Sequence, residues 1–319
     1  MWRVRSLLAV LAIALVAVGT AAAQSWPNKP VRLIVPYAPG GSTDNATRAF
    51  ADKLSQRLGQ QFVIENKGGA AGAIGVEAGV KSAPDGYSFV VLPLATVTVL
   101  PHARKLPYDA FKDFAYVGRF VAGTLTFAVR TDLAVDDMKA YLALVKANPG
   151  KYFYASPGIG AMPHLAVEAL KELAKVDIVH VPYRGGAEAI QDFLAGNVHS
   201  VHESNTMPLA KTGKAKMLAV IDTERHPDFP DVPTLAEAVP GYDVVNWFGM
   251  AGPAGVPADI VQKLSAELNA IAAMEDVRAR LLPLGLRPIK DTPADMAANV
   301  RKEYDRYQAL VTKLNIKLE

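Results

Sequence analysis

Three places in this chain repeat one order: a short apolar run, a break on proline and glycine, then helical periodicity. The first is Val31-Arg32-Leu33-Ile34-Val35, then Pro36-Tyr37-Ala38-Pro39-Gly40-Gly41-Ser42-Thr43, then Ala46, Phe50, Leu54 and Leu58 at steps of four. The apolar run suits a buried strand, and Pro36 and Pro39 end it because neither can donate to a ladder. Gly40 and Gly41 let the backbone turn tightly, and Ser42 and Thr43 are expected to cap the helix. The second is Tyr152-Phe153-Tyr154-Ala155, the loop Ser156-Pro157-Gly158-Ile159-Gly160-Ala161, and a helix from Met162 with Leu165, Ala169 and Leu173 in register. The third is Ile178-Val179-His180-Val181, the loop Pro182-Tyr183-Arg184-Gly185-Gly186, and a helix from Ala187 carrying Ile190, Phe193 and Leu194. A strand that runs straight into a helix is half of a parallel βαβ unit, so the chain is committed to α/β architecture.

Each loop presents unpaired N–H groups at the positive end of a helix dipole, a seat for an anion. The first loop has no lysine and no Gly-Lys-Ser/Thr ending, which argues against a nucleotide and for a smaller anion such as a carboxylate. An ordinary βα turn with glycines for geometry is the plainer alternative.

Further strands are predicted at Phe62-Val63-Ile64 and Ser88 to Leu92, completing a βαβαβ start with a parallel sheet. The exit of the latter carries Thr96 and Thr98, whose hydroxyls face a ligand or serve as caps. Residues 106–114 read as a polar, aromatic connector, Thr124 to Val129 as a strand leaving the first domain, and Tyr242 to Phe248 as the return. The tail from Pro293 to Leu314 is a long amphipathic helix with Met296, Val300, Tyr307 and Val311 on one face. With 319 residues, half of them hydrophobic, two domains are the natural expectation: 24–124 with 246–319, and 125–245.

Residues 1–23 read as a signal peptide. Arg3 and Arg5 are basic, Leu7 to Val18 is apolar, and Ala21-Ala22-Ala23 suits cleavage before Gln24. The apolar run is short for a membrane anchor, which needs about 20 residues. Losing two arginines from a net charge of +3 leaves +3 − 2 = +1, with no basic runs, so no nucleic-acid partner is expected. The chain has no cysteine, which excludes disulfides and thiolate metal sites.

Two α/β domains with glycine loops at strand ends imply a cleft between them. Tyr37, Tyr87, Tyr183 and Trp247 are candidates to cover an apolar ligand body, or pack in the core or at the rim. Arg184 pairs with a carboxylate or is simply solvated. His164 is a ligand or a brace for its loop. Glu203 accepts from a ligand hydroxyl or amine, or lies at the surface. A Ser156–His164–Glu168 triad is conceivable, but Gly-x-Ser-x-Gly is missing. The six histidines contain no His-Glu-x-x-His, so neither a metal nor a cofactor is expected.

The ordered set of motifs resembles the solute receptors of tripartite tricarboxylate transporters, the Bug family. It comprises Trp26-Pro27-x-Lys29-Pro30, Pro36 to Asp44, Pro84-Asp85-Gly86-Tyr87, Leu106-Pro107-Tyr108-Asp109 and Lys112-Asp113-Phe114. Tyr154-Ala155-Ser156 with Gly158, Gly160 and His164, then His180 to Gly185, Asp231-Val232-Pro233-Thr234 and Ala251 to Gly255 complete it. The resemblance implies a periplasmic binding protein fold, with two doubly wound α/β domains joined by two crossing strands that close on a carboxylate. It implies that backbone N–H groups hold the carboxylate, in Tyr37, Ala38, Gly40, Gly41 and Ser42, and in Ser156, Gly158, Gly160 and Ala161. Thr96, His164, Tyr183, Arg184 and Glu203 complete the candidate site from the reading of the residues themselves. Where the family has Phe-Asp before its sixth cleft loop this chain has His202-Glu203, and Ser204 to Lys211 is shorter than usual. The expectation is a monomeric, periplasmic, non-enzymatic receptor for a small organic carboxylate, delivering it to membrane transporter subunits. The alternatives are an exported hydrolase using Ser156 and His164, and a sensor subunit presenting its ligand to a kinase.

Overall fold

The first apolar run forms β1 (Val31–Val35), with four of its five residues buried, and it pairs in parallel with β2 (Phe62–Asn66) and β3 (Ser88–Pro93). These elements belong to a computed structural model that describes residues 26–313; the signal-peptide reading of residues 1–23 lies outside the described residues. Between β1 and β2 runs the helix Ser42–Leu58, which buries Ala46, Phe50 and Leu54 at the predicted steps of four.

The sheet is parallel only in part. Beyond β3 it continues with β10 (Trp247–Pro253), β4 (Phe114–Gly123) and β11 (Leu286–Pro288), all antiparallel, in the order β11-β4-β10-β3-β1-β2. A second sheet has the order β7-β6-β8-β5-β9. In it β6 (Phe153–Ser156) lies parallel to β7 (Val179–Pro182) and β8 (Ser200–Val201). The strand β5 (Leu125–Val129) runs antiparallel to both its neighbours, β8 and β9 (Lys216–Ile221), so it alone opposes the other four.

The chain passes between the sheets at two places. Thr124 alone separates β4 from β5, and Asn246 precedes β10. The two passages touch: Gly123 N–H donates to Asn246 O at 3.1 Å. A methyl on Gly123 would lie 2.9 Å from Asn246 Nδ2, so the glycine lets the crossings run side by side. The helix Pro293–Lys313 packs across the return segment through buried Met296, Val300 and Tyr307. Tyr307 Oη donates to Val245 O at 3.1 Å.

The ten residues of β4 form a strand between β10 and β11 where no strand was expected. Its period of two is broken by Gly118, at φ +153° against the Asp291 backbone, and by Arg119, whose guanidinium pairs with Asp291 at 2.8 Å. Register shifts against β10 at two points obscure the alternation further. Among the described residues no helix is long and apolar enough to cross a membrane.

Candidate functional site

Three helices begin at the facing edges of the two sheets: Ser42–Leu58, Met162–Ala174 and Gly186–Leu194. Their N-cap residues are Gly41, Ala161 and Gly185, and no side chain caps any of them. Ser42 and Thr43 were expected as caps. Instead Gly41 holds that place in an extended conformation, and the Ser42 hydroxyl reaches across to the other sheet. The helices Met138–Ala147 and Leu235–Ala238, by contrast, are capped by Asp137 and Thr234. Uncapped first turns leave N–H donors and dipole ends available to a ligand.

Small residues bring these turns together. A methyl on Gly41 would sit 3.4 Å from Gly186 N, and one on Gly185 would sit 2.9 Å from Ala38 Cβ. A methyl on Gly186 would lie 2.7 Å from Glu203 Cδ. Gly158 and Ala71 approach in the same way, at 3.5 Å. The two halves therefore meet backbone to backbone.

Between them lies a cavity of about 30 Å³, room for one or two waters. Its polar lining is Tyr37, Ser42, Thr43, Glu203 and Asn246, with Gly41 and Gly186 at the approach of the helices. Its apolar lining is Pro93, Leu125, Pro157, Met162, Pro163 and Phe248. Glu203 is 5% exposed, and Ser42 Oγ donates to its Oε2 at 3.0 Å. Burial pushes the Glu203 carboxyl up to about 7, with Ser42's bond acting the other way. Tyr37 Oη donates to Ala71 O at 3.1 Å, and burial, reinforced by Glu203, pushes the phenol up. Asn205 Nδ2 donates to Gly40 O at 3.3 Å, a second link across the cleft.

Asp44 fixes the first loop. It accepts from Gly40 N–H at 2.9 Å, Arg48 Nε at 2.7 Å and Asn66 Nδ2 at 2.9 Å. Burial works to raise its carboxyl, but these bonds outweigh burial and hold it below the usual carboxylate range.

The second loop is braced by imidazoles. Ser156, fully buried, has its Oγ 2.6 Å from His180 Nε2 and accepts Gly158 N–H at 3.2 Å. Its partner is thus His180 rather than His164. His164 Nδ1 accepts Gly160 N–H at 3.1 Å, so it holds the loop. The two rings lie 4.3 Å apart. Burial lowers His164 to about 4 and His180 to about 3, so both are neutral at pH 7.

Of the candidate residues Tyr37, Gly41, Ser42 and Glu203 line the cavity. Ala38 and Gly40 form its approach, while Ser156, Gly158, Gly160, Ala161 and His164 shape the second loop behind it. Thr96 lies apart: its Oγ1 donates to Pro93 O at 2.7 Å, and Thr98 likewise to Leu94 O at 2.9 Å. Tyr183 donates its hydroxyl to Asp192, and Arg184 is exposed on a separate groove with Arg104. Neither Tyr87 nor Trp247 lines the cavity. Pro93, Leu125, Met162, Pro163, Asn246 and Phe248 lie outside the three glycine loops of the sequence reading, whereas Thr43, Pro157 and Gly186 lie within them without having been singled out. The signal for Leu125, Asn246 and Phe248 was topological, because segments that cross between two domains must border their cleft. Among the described residues no group of three or more His, Cys, Asp or Glu side chains is placed to hold a metal.

The family described as tripartite tricarboxylate transporter family receptor matches residues 46–316. A protein from the tcbD-tcbE intergenic region of Pseudomonas sp. strain P51 is 34% identical over 98% of this chain and 95% of its own. BugT of Bordetella pertussis is 32% identical over 98% of each chain. Among solved structures, the periplasmic binding protein BugD is 33% identical, covering 92% of this chain and 99% of its own, with a TM-score of 0.88. Rpa4515 of R. palustris, solved with adipate, is 31% identical over 92% and 99%, with a TM-score of 0.88. MatC of Rhodopseudomonas palustris, with bound malate, is 32% identical over 90% and 100%, with a TM-score of 0.85. Sequence, fold and the meeting of glycine loops agree: the chain belongs to the tripartite tricarboxylate transporter receptor family, as a Bug-type solute-binding protein.

Proposed function

We propose that this protein is an exported, periplasmic receptor that takes a small organic carboxylate into the cleft between domains 24–124 with 246–319 and 125–245. It hands that ligand to membrane transporter subunits and acts as a monomer. The observation that carries this reading is the convergence of three helix N-termini without side-chain caps on one small cavity. Hydrogen bonds from N–H groups to a charged acceptor contribute roughly 1.5–3 kcal/mol each. Three or four of them, after the cost of association, support micromolar binding, about −8 kcal/mol. Relatives captured with malate and adipate support the ligand class.

The same geometry speaks against catalysis. Ser156 is buried behind the loop, and neither it, His164 nor His180 lines the cavity. A reactive serine needs access to a substrate carbonyl, and although His180 Nε2 stands 2.6 Å from Ser156 Oγ, neither group faces the cavity. Isothermal titration with a panel of carboxylates, followed by recovery of the ligand, tests the proposal. Saturable binding with the ligand recovered unchanged supports a receptor, and turnover of any panel member refutes it.

A further inference from the structure

Along one edge of the seam between the two halves runs a groove of about 250 Å³, outside the cavity. Ala70, Ala71 and Arg104 form its wall on the first half, and Ile159, Tyr183 and Arg184 its wall on the second. It adjoins the cavity at two points: Pro157 lines both, and cavity-lining Tyr37 donates its hydroxyl to Ala71 O. Ala71 and Gly158 meet across the seam here by van der Waals approach, and among the described residues no hydrogen bond crosses it along the groove. Elsewhere Ser42 to Glu203 and Asn205 to Gly40 tie the halves together, and at the hinge the two crossing segments close the seam. The groove edge is therefore where the halves part most cheaply and a ligand enters.

This entrance is positively charged. Arg104 Nη2 donates to Ala70 O at 2.6 Å, and the Arg184 guanidinium makes no hydrogen bond among the described residues. Neither has an ion-pair partner among those residues, and the groove lining contains no acid. Of the acids around it, Glu188 accepts from the Arg184 backbone N–H at 3.1 Å, Glu77 pairs with Lys81, and Asp109 and Asp113 line a neighbouring hollow beside Arg104. The inner cavity, by contrast, has no cationic lining residue. Helix-start N–H groups act on an anion within about one turn, whereas unpaired charges act over a screening length of about 8 Å at physiological salt. The two features therefore suit different stages of capture. We propose that Arg104 and Arg184, one on each wall of the groove at the mouth of the cleft, draw an anionic ligand in and release it to the helix starts, setting the rate of association rather than the strength of the hold. The inference rests on the carboxylate-receptor reading and deepens it.

The test is stopped-flow tryptophan fluorescence on the whole exported chain with malate, succinate, glutarate and adipate as probes. Trp247 stands between cavity-lining Asn246 and Phe248 and serves as the reporter. Arg104→Gln with Arg184→Gln should lower the association rate constant of the tightest probe at low salt, on the order of ten-fold. The dissociation rate constant should stay within about two-fold of wild type. In 1 M NaCl, where the screening length is about 3 Å, the difference in association rate should vanish. Arg184→Lys, which keeps the charge and loses the planar fork, should associate at the wild-type rate. Both arginines are exposed, and Arg184→Gln breaks no side-chain bond, so the single variant tests the claim even if the double one folds poorly. An unchanged association rate, a difference that survives 1 M NaCl, or a loss confined to faster dissociation would overturn the inference and leave the carboxylate receptor standing. If no probe binds, the carboxylate reading falls and the inference with it.

Discussion

Gly186→Ala places one methyl at the point where the two halves of the protein meet. That methyl would lie 2.7–2.9 Å from all three atoms of the Glu203 carboxyl group, closer than real Cβ contacts allow. The Gly186 backbone is fixed by its helix, so the Glu203 side chain must move. Moving it breaks the Ser42 Oγ–Oε2 bond of 3.0 Å, a bond between the two sheets. Hydrogen bonds to charged groups are worth about 1.5–3 kcal/mol, or roughly 10- to 150-fold in affinity, and that is the expected loss in Kd by isothermal titration. The fold should be spared, because opening the cleft relieves the clash and alanine suits a helix better than glycine. The thermal midpoint should therefore shift by less than about 3 °C, the lower end of the roughly 3–12 °C that a full loss of about 1.5–3 kcal/mol would produce at about 2–4 °C per kcal/mol. Adding Glu203→Ala removes the group the methyl strikes, so Gly186→Ala should cost little further in that background. Unchanged affinity for Gly186→Ala, or strict additivity of the two substitutions, would refute this account of the cleft.

Other expectations concern pH and the loops. Glu203 has a folded value near 7, raised above the usual 4.5. Its contribution to stability is fully present below about pH 4.5 and is lost as pH rises through 7, on the order of 2–4 kcal/mol. His164 and His180 have the opposite sign: their folded values of about 4 and 3 mean stability present above 6.5 and lost as pH falls toward those values. Subtracting the denaturation profile of Glu203→Gln from wild type isolates the first effect, and a flat difference between pH 4.5 and 7 would contradict it. Ser156→Ala leaves half-buried His180 Nε2 and the Gly158 N–H without their partner. It should cost about 1–3 kcal/mol in urea denaturation and weaken ligand binding by loosening the loop; an unchanged Kd would remove Ser156 from the site. Thr96→Val loses only a bond to Pro93 O. It should lower stability by about 1 kcal/mol and leave Kd within about two-fold in the same titration.

The strand–loop–helix units were legible because their signals are local. Val31–Val35, the prolines after it and the four-residue spacing of Ala46, Phe50 and Leu54 each report on neighbours in sequence. The strand β4 was not, since Gly118 and Arg119 are shaped by Asp291, more than 170 residues away, rather than by alternation. Sequence spacing likewise suggested that Ser156 pairs with His164. The fold pairs β6 with β7 so that Tyr154 stands opposite His180, and the diagonal position delivers His180 to Ser156. Ser42 looked like a helix cap because capping is a local habit of serine; its partner Glu203 comes from the other sheet. Leu125, Asn246 and Phe248 enter the cavity only because the two crossings border it.

The central claim is that main-chain N–H groups at the starts of the three uncapped helices hold the acid. A crystal structure with a bound carboxylate measures it directly. The account predicts carboxylate oxygens within about 3.2 Å of backbone N–H nitrogens among residues 41–44, 162, 164 and 186–188. A carboxylate held instead by Arg104 and Arg184 in the outer groove, away from residues 36–42, would contradict it.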